Sequence, residues 1–328
     1  MKNKIKLVAY QMPYQSESLF QSRWFMPWIS DQFEIRVYNE HESYPDNTVF
    51  LIGARQYIDT ALREKFWNRC VIVDGLWESN TGKYGNLRTL HGPRHLIMYG
   101  NANNLEHDNL LFVPRFFWIN ESLHYQLRGY DAFQPAKTYS KKFLMPIGTA
   151  RGWRDETIEA LKPWLDDAYW SCVKRGHYLP GTRSAKNLDH RLINPAWYND
   201  TYFSIVCESA KTWTEAVWFL TEKTYKAMAG YHPFVLMGAS GLLAQVQALG
   251  FVTFDNIFDE SYDHISDLAQ RLEALRRIVQ DFEYQPYSQE TKNRLAHNRN
   301  RFYDNALVIE YLKQDIITPI VQWIETHT

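Results

Sequence analysis

The chain has 328 residues, 45% of them apolar and 22% charged, with a net charge of −1 at neutral pH. This is the composition of a folded protein with room for two ordinary domains, and it excludes a disordered chain. Near-neutral charge removes any global field steering the molecule to nucleic acid or anionic membrane, while leaving a local basic face open. No apolar run approaches the ~20 residues of a membrane-spanning helix.

Met1-Lys2-Asn3-Lys4 leads into a short apolar run, Ile5–Tyr10, which reads as a first strand rather than a secretory signal. Cys70, Cys172 and Cys207 form an odd count, each in a strand-like run. They read as buried reduced thiols of a cytoplasmic protein, without metal spacing or a disulfide framework. Aromatic residues reach 16%, including 12 tryptophans, which suits sugars and bases but fits a core as well.

Along the chain, strands are predicted at Ile5–Tyr10, Glu34–Tyr38, Val49–Ile52, Cys70–Val73, Leu96–Tyr99 and Leu110–Pro114, with an amphipathic helix at Tyr57–Asn68. Composition turns polar around Ala132–Lys142, the predicted domain boundary. A second alternating run follows: strand Phe143–Ile147, helix Arg154–Trp164, strand Ala168–Cys172, a cationic loop, strand Tyr202–Cys207, and a helix over Thr221–Ala229. Strand Pro233–Met237, helix Leu242–Leu249 and strand Phe251–Phe254 complete it, and the pattern is helical from Ile265 onward. The alternation predicts an α/β architecture with parallel sheets. Residues 1–135 form one Rossmann-like domain, 140–305 a second, and 306–328 a closing helix. Ligands in such sheets bind beyond the carboxyl ends of strands.

That rule singles out two segments. After Phe143–Ile147 come Arg151 and Arg154, whose planar forks suit a pyrophosphate. After Tyr202–Cys207 come Glu208 and then Thr221-Glu222-Lys223. Thr221 is a favourable N-cap, and a helix N-terminus attracts phosphate. Lys223 adds a cation, and Glu222 suits the paired hydroxyls of a ribose. The plainer reading makes Glu222 and Lys223 solvated first-turn residues and the arginines structural ion pairs. In the first domain, Asp74 and Glu78 are candidate general bases, with loop capping as the alternative for Asp74. The loop Lys174–Arg191 offers Lys174, Arg175, Arg183 and Arg191 to a polyanionic acceptor, or to solvent. Asp255, Asp259, Glu260 and Asp263 lack calcium-loop spacing and read as helix-capping residues. His232 reads as a structural histidine.

The stretch "FLTEKTYKAMAGYHPFVLMG", preceded by Glu208-Ser209, resembles the donor-site signature of the α-1,3-fucosyltransferases. The resemblance covers mainly residues 143–255. Val206-Cys207-Glu208-Ser209 departs from that family's Phe-Glu-Asn-Ser, and a long spacer precedes Thr221. The resemblance implies a GT-B fold, two Rossmann-like domains facing a cleft with C-terminal closing helices. It implies that Glu222 holds the ribose, that Lys223 and Arg154 hold the diphosphate, and that Glu208 stands at the family's glutamate. The fuller pattern, with "FSIVCES", "GFVTFD" and "DESYD", is similar to uncharacterised glycosyltransferase-like proteins of bacteriophages and bacteria.

The expectation is therefore a metal-independent glycosyltransferase without a cofactor, taking a nucleotide sugar as co-substrate. Its acceptor is a hydroxymethylated pyrimidine in phage DNA or a cell-surface glycan, and its compartment is the cytoplasm, a host's if phage-encoded. The rivals are a non-catalytic nucleotide-binding protein and a metal nuclease built on Asp255, Asp259 and Glu260.

Overall fold

The computed structural model describes residues 4–10, 31–53, 60–76, 93–99, 109–148, 152–182, 193–208 and 220–328. The chain divides into two compact units, Met1–His124 with Asn305–Thr328, and Tyr125–Asp304.

In the first unit the described strands are β1 (Ile5–Tyr10), β2 (Phe33–Val37), β3 (Val49–Gly53), β4 (Cys70–Leu76), β5 (His95–Tyr99) and β6 (Leu110–Phe112), with helix α1 (Thr60–Phe66) between β3 and β4. They make one parallel sheet in the order β2-β1-β3-β4-β5-β6. β3 is buried along its whole length and Cys70–Val73 of β4 likewise. Such unbroken apolar runs mark strands covered on both faces. The core joins Val8, Phe50, Ile52, Val71, Val73 and Ile97 to Leu62 and Phe66 of α1.

Helix α2 (Phe116–Leu127) carries no amphipathic signal, and sequence reasoning missed it. The cause is burial on every side, from Phe116 to Tyr125. A helix enclosed all round has no polar face to set a period.

The second unit continues with β7 (Lys141–Ile147), α3 (Trp153–Ala160), β8 (Ala168–Cys172), α4 (Pro195–Asp200), β9 (Thr201–Cys207), α5 (Glu222–Ala229), β10 (Phe234–Met237) and α6 (Leu242–Ala248). Its four described strands are parallel, in the order β10-β9-β7-β8. α3 ends earlier than expected: a 3-10 segment, Lys162–Asp167, takes over where Pro163 cannot continue an α-helix. α7 (Leu268–Asp281) and α8 (Gln289–Phe302) close the unit.

The expected strand Phe251–Phe254 is corrected: the segment is extended but pairs with no strand among the described residues. Side chains take its backbone groups instead. Asn298 accepts from Val252 N–H at 2.8 Å and donates to Val252 O at 2.8 Å, and Glu260 accepts from Phe254 N–H at 2.6 Å. Buried backbone groups need partners, and here a helix and a loop supply them in place of a ladder.

The final segment returns to the first unit as α9 (Asn305–Leu312), a π-helical turn Lys313–Ile317, and α10 (Thr318–His327). The turn carries Asp315, which accepts from Arg115 Nε at 2.6 Å, and the Arg115 guanidinium lies 3.6 Å from the Tyr311 ring centroid. At the far end Cys70 Sγ donates to His327 O at 3.1 Å. All three cysteines are buried free thiols.

Candidate functional site

In the second sheet, β8 lies to one side of β7, while β9 and β10 lie to the other. The connections reverse between β7 and β9, and a parallel sheet opens a ligand crevice beyond the carboxyl ends of such a pair. Ile147 and Cys207 end those two strands. Arg154, the second residue of α3, crosses this point: it donates to Glu208 O at 2.6 Å, and both residues are buried.

Glu208 continues from β9, its N–H donating to Met237 O at 2.8 Å. Its carboxylate turns to the start of α5. One oxygen accepts from Thr221 N–H at 2.9 Å and from the Thr224 hydroxyl, while the other accepts from the Thr221 hydroxyl at 2.6 Å. Gly238 permits this approach, since a Cβ there would stand 3.2 Å from Glu208 Cβ and 2.4 Å from a Leu242 methyl. Thr221 is the N-cap of α5, as its sequence position predicts, and its hydroxyl accepts from Lys223 N–H at 3.4 Å. Thr224 is the partner that sequence reasoning missed. Its place one turn into the helix, on the face shared with the cap, was the available signal.

Lys223 Nζ donates to Thr221 Oγ1 at 3.0 Å and to Glu222 Oε1 at 2.8 Å. The side chains of Lys223 and Glu222 keep 17% and 11% of their surface, so both are enclosed yet reachable. Burial alone would lower the Lys223 pKa; Glu222 and Glu208 outweigh it against the opposing Arg154, and the ammonium is held above its ordinary value. Lys223 is therefore charged at neutral pH. Two cations and two carboxylates meet where the strand ends converge. Glu208 caps α5, so the Thr221 amide is already engaged within the fold.

The other expected site residues lie apart from this cluster or outside the described residues. Arg151, Glu78, Arg183 and Arg191 are outside them, as is the side chain of Asp74, whose backbone pairs in register with Gly53 of β3. Lys174 and Arg175 follow β8. Lys174 is exposed, while Arg175 is ion-paired with Asp155 and Glu159.

The carboxylates after Phe254 are all engaged within the fold. Asp255 pairs with Arg294, Asp259 accepts from Ser261 N–H at 3.0 Å, and Asp263 pairs with buried Arg271 at 3.1 Å.

His232 is fully buried, with Nδ1 2.7 Å from Ser204 Oγ and Nε2 2.8 Å from Thr201 O. Burial first, then the nearby Lys137 charge, hold its pKa well below the histidine norm. The unfolded chain takes up this proton near pH ~6.5 and the folded one does not, so stability falls with pH below that value, by about 1.4 kcal/mol per unit. In urea unfolding, the stability advantage of wild type over His232→Asn is expected to shrink as pH is lowered from about 6.5. A constant advantage would mean that His232 is protonated in the fold.

The fold has known counterparts. The chain is similar to a crystal structure of an alpha1,3-fucosyltransferase, with a TM-score of 0.52 and 11% identity over 96% of this chain and 91% of that one. For an alpha1,3-fucosyltransferase with GDP-fucose the TM-score is 0.49, with 9% identity over 92% of this chain and 91% of that one. For WaaG, a glycosyltransferase involved in lipopolysaccharide biosynthesis, it is 0.39, with 13% identity over 95% of this chain and all of that one (100%). No protein-family model matches the sequence, and no curated protein does. The first likeness is one of fold: an α/β chain with the two parallel sheets and C-terminal helices of GT-B glycosyltransferases. Among the described residues no helix is long and apolar enough to cross a membrane.

Proposed function

We propose that the protein is a glycosyltransferase that takes a nucleotide-activated sugar as donor. Lys223 and Arg154 hold the diphosphate, and Glu222 accepts from the ribose hydroxyls. The observation that carries this reading is the Arg154 contact to Glu208 O at 2.6 Å, which draws the starts of α3 and α5 together beyond β7 and β9. A buried arginine and a charged lysine at that point favour the negative charge that grows on a departing nucleoside diphosphate. This is chemistry that a metal ion performs in other transferases.

For the acceptor we favour a glycan hydroxyl over a base in DNA. Arg175, one of the cations expected to follow a polyanion, is already neutralised by Asp155 and Glu159. A DNA acceptor would show steep loss of affinity with salt, and a glycan would not.

The test is a thermal-shift panel of ADP, GDP, UDP and CDP with their sugar conjugates, on wild type, Lys223→Ala and Glu222→Ala. A ligand at ~100 times its Kd stabilises the native state by ~2.7 kcal/mol. One base should raise the melting temperature of wild type and neither variant. If no nucleotide moves wild type, with divalent ions supplied, the cluster is only a helix cap and the transferase reading fails.

A further inference from the structure

At the opposite end of α5 from Lys223, wholly within the second unit, lies a pocket of about 420 Å³. Its walls include Asp131, Gln134, Tyr231, Arg299, Asn300 and Tyr303. Three features bear on what it could hold.

The first is backbone strain. α5 ends with Tyr231 N–H donating to Met228 O at 3.2 Å and His232 N–H to Ala227 O at 3.0 Å. That ending places a left-handed residue just past the C-cap, where glycine is the usual choice. Here glycine comes one position early, and Tyr231 takes the left-handed backbone at φ 56°. Gly230 is needed for another reason, since a Cβ on it would meet the Tyr198 ring at 2.4 Å. A bulky residue held in this conformation is strain that clusters at ligand sites. The Tyr231 hydroxyl donates to Lys292 O at 3.1 Å, which fixes the ring in the pocket wall.

The second is the Tyr303 hydroxyl, which is buried and has no hydrogen-bond partner among the described residues. Folded proteins seldom leave such a group unmet.

The third is the polar lining. The side chains of Asp131, Gln134 and Asn300 are exposed and make no hydrogen bond to any described residue, so they are open to a ligand. Arg299 donates to the carbonyls of Tyr130, Asp131 and Phe133, which holds segment 130–133 as one wall.

The charges of Asp131 and Arg299 cancel. The pocket thus presents a carboxylate, two amides and a guanidinium beside two phenol rings, with no net field. An anion would meet one cation opposed by a carboxylate. A purely apolar ligand would strip water from polar groups and give nothing back. A molecule whose hydroxyls both donate and accept, and whose C–H faces lie against rings, matches the exposed polar groups and the rings of this lining. The volume falls within the usual range for small-molecule sites.

We propose that this pocket binds a saccharide unit, at a place separate from the Lys223 cluster. The proposal does not depend on the transferase reading, because its readout is binding and not turnover.

The test is saturation-transfer NMR with the methyl glycosides of glucose, galactose, mannose and N-acetylglucosamine. The proteins compared are wild type, the double variant Asp131→Ala/Asn300→Ala, and Tyr231→Gly. At least one glycoside is expected to bind wild type, and both variants to weaken it by roughly tenfold or more, which is about 1.4 kcal/mol. Tyr231→Gly relieves the left-handed backbone but loses the bond to Lys292 O, so its melting curve is recorded to show that the variant is folded. Nucleotide-induced shifts at the Lys223 cluster should be the same in all three proteins, which separates failure here from failure there. No glycoside binding to wild type, or binding that both variants retain in full, overturns the proposal.

Discussion

Lys223→Ala is expected to reduce turnover by roughly 10²–10³-fold, equivalent to about 2.7–4 kcal/mol of transition-state stabilisation. The ammonium is enclosed, carries its full charge and is fixed by Thr221 Oγ1 and Glu222 Oε1. A fixed cation in a poorly hydrated site acts on developing phosphate charge more strongly than a solvated one. Removing it also takes from Glu222 and Glu208 the ammonium that both attract, so donor binding should weaken along with turnover. Lys223→Arg should restore part of both, because charge is kept while reach and shape change. Steady-state kinetics with the nucleotide sugar selected by the thermal-shift panel is the measurement. Full turnover in Lys223→Ala would remove Lys223 from the chemistry and leave it as a helix-cap residue.

Glu208→Ala is expected to destabilise the second unit by about 3–5 kcal/mol. Three donors converge on this carboxylate: the Thr221 N–H and the hydroxyls of Thr221 and Thr224. Glu208, Thr221 and Thr224 are all buried. Each buried donor left without a partner costs about 1–3 kcal/mol, partly recovered where a hydroxyl can rotate to another acceptor. The main-chain contact from Arg154 survives the substitution, so the effect isolates the carboxylate. Glu208→Gln should cost less, because it keeps one acceptor. Thr224→Val placed on Glu208→Ala should regain part of the loss by removing an orphaned hydroxyl, which a double-mutant cycle in urea would read. Nucleotide binding should fall in Glu208→Ala even though Glu222 and Lys223 are unchanged, because the helix start that carries them is no longer latched. A stability change within ~0.5 kcal/mol of wild type, the range of an ordinary surface substitution, would refute the latch.

Much of this protein could be read from local pattern. The parallel strands declare themselves because burial on both faces leaves runs such as Val49–Gly53 and Thr201–Cys207 without a polar face. Thr221 is legible as an N-cap because capping is a local event, decided by a hydroxyl and the amides two or three residues on. The resemblance carried by Thr221-Glu222-Lys223 pointed to GT-B, the fold that the structure has. Where sequence reasoning failed, the deciding partners were remote in the chain. The period of α2 vanished because neighbours enclose it on every side. The segment Phe251–Phe254 has the apolar content of a strand, but Asn298 and Glu260 claimed its backbone first.

The sequence by itself therefore determined the class of fold, the ends of most second-unit strands, and the residue types gathered near the start of α5. Each follows from short-range periodicity, capping chemistry or composition. Only the tertiary structure decided what those residues do to one another. Glu208 and Thr224 are sixteen positions apart, and their hydrogen bond exists because β9 and α5 meet beyond the sheet. Arg154 reaches Glu208 across fifty-four positions because the strand order reverses between β7 and β9. Pairings at that range depend on which chain segments pack side by side, and no local preference encodes that.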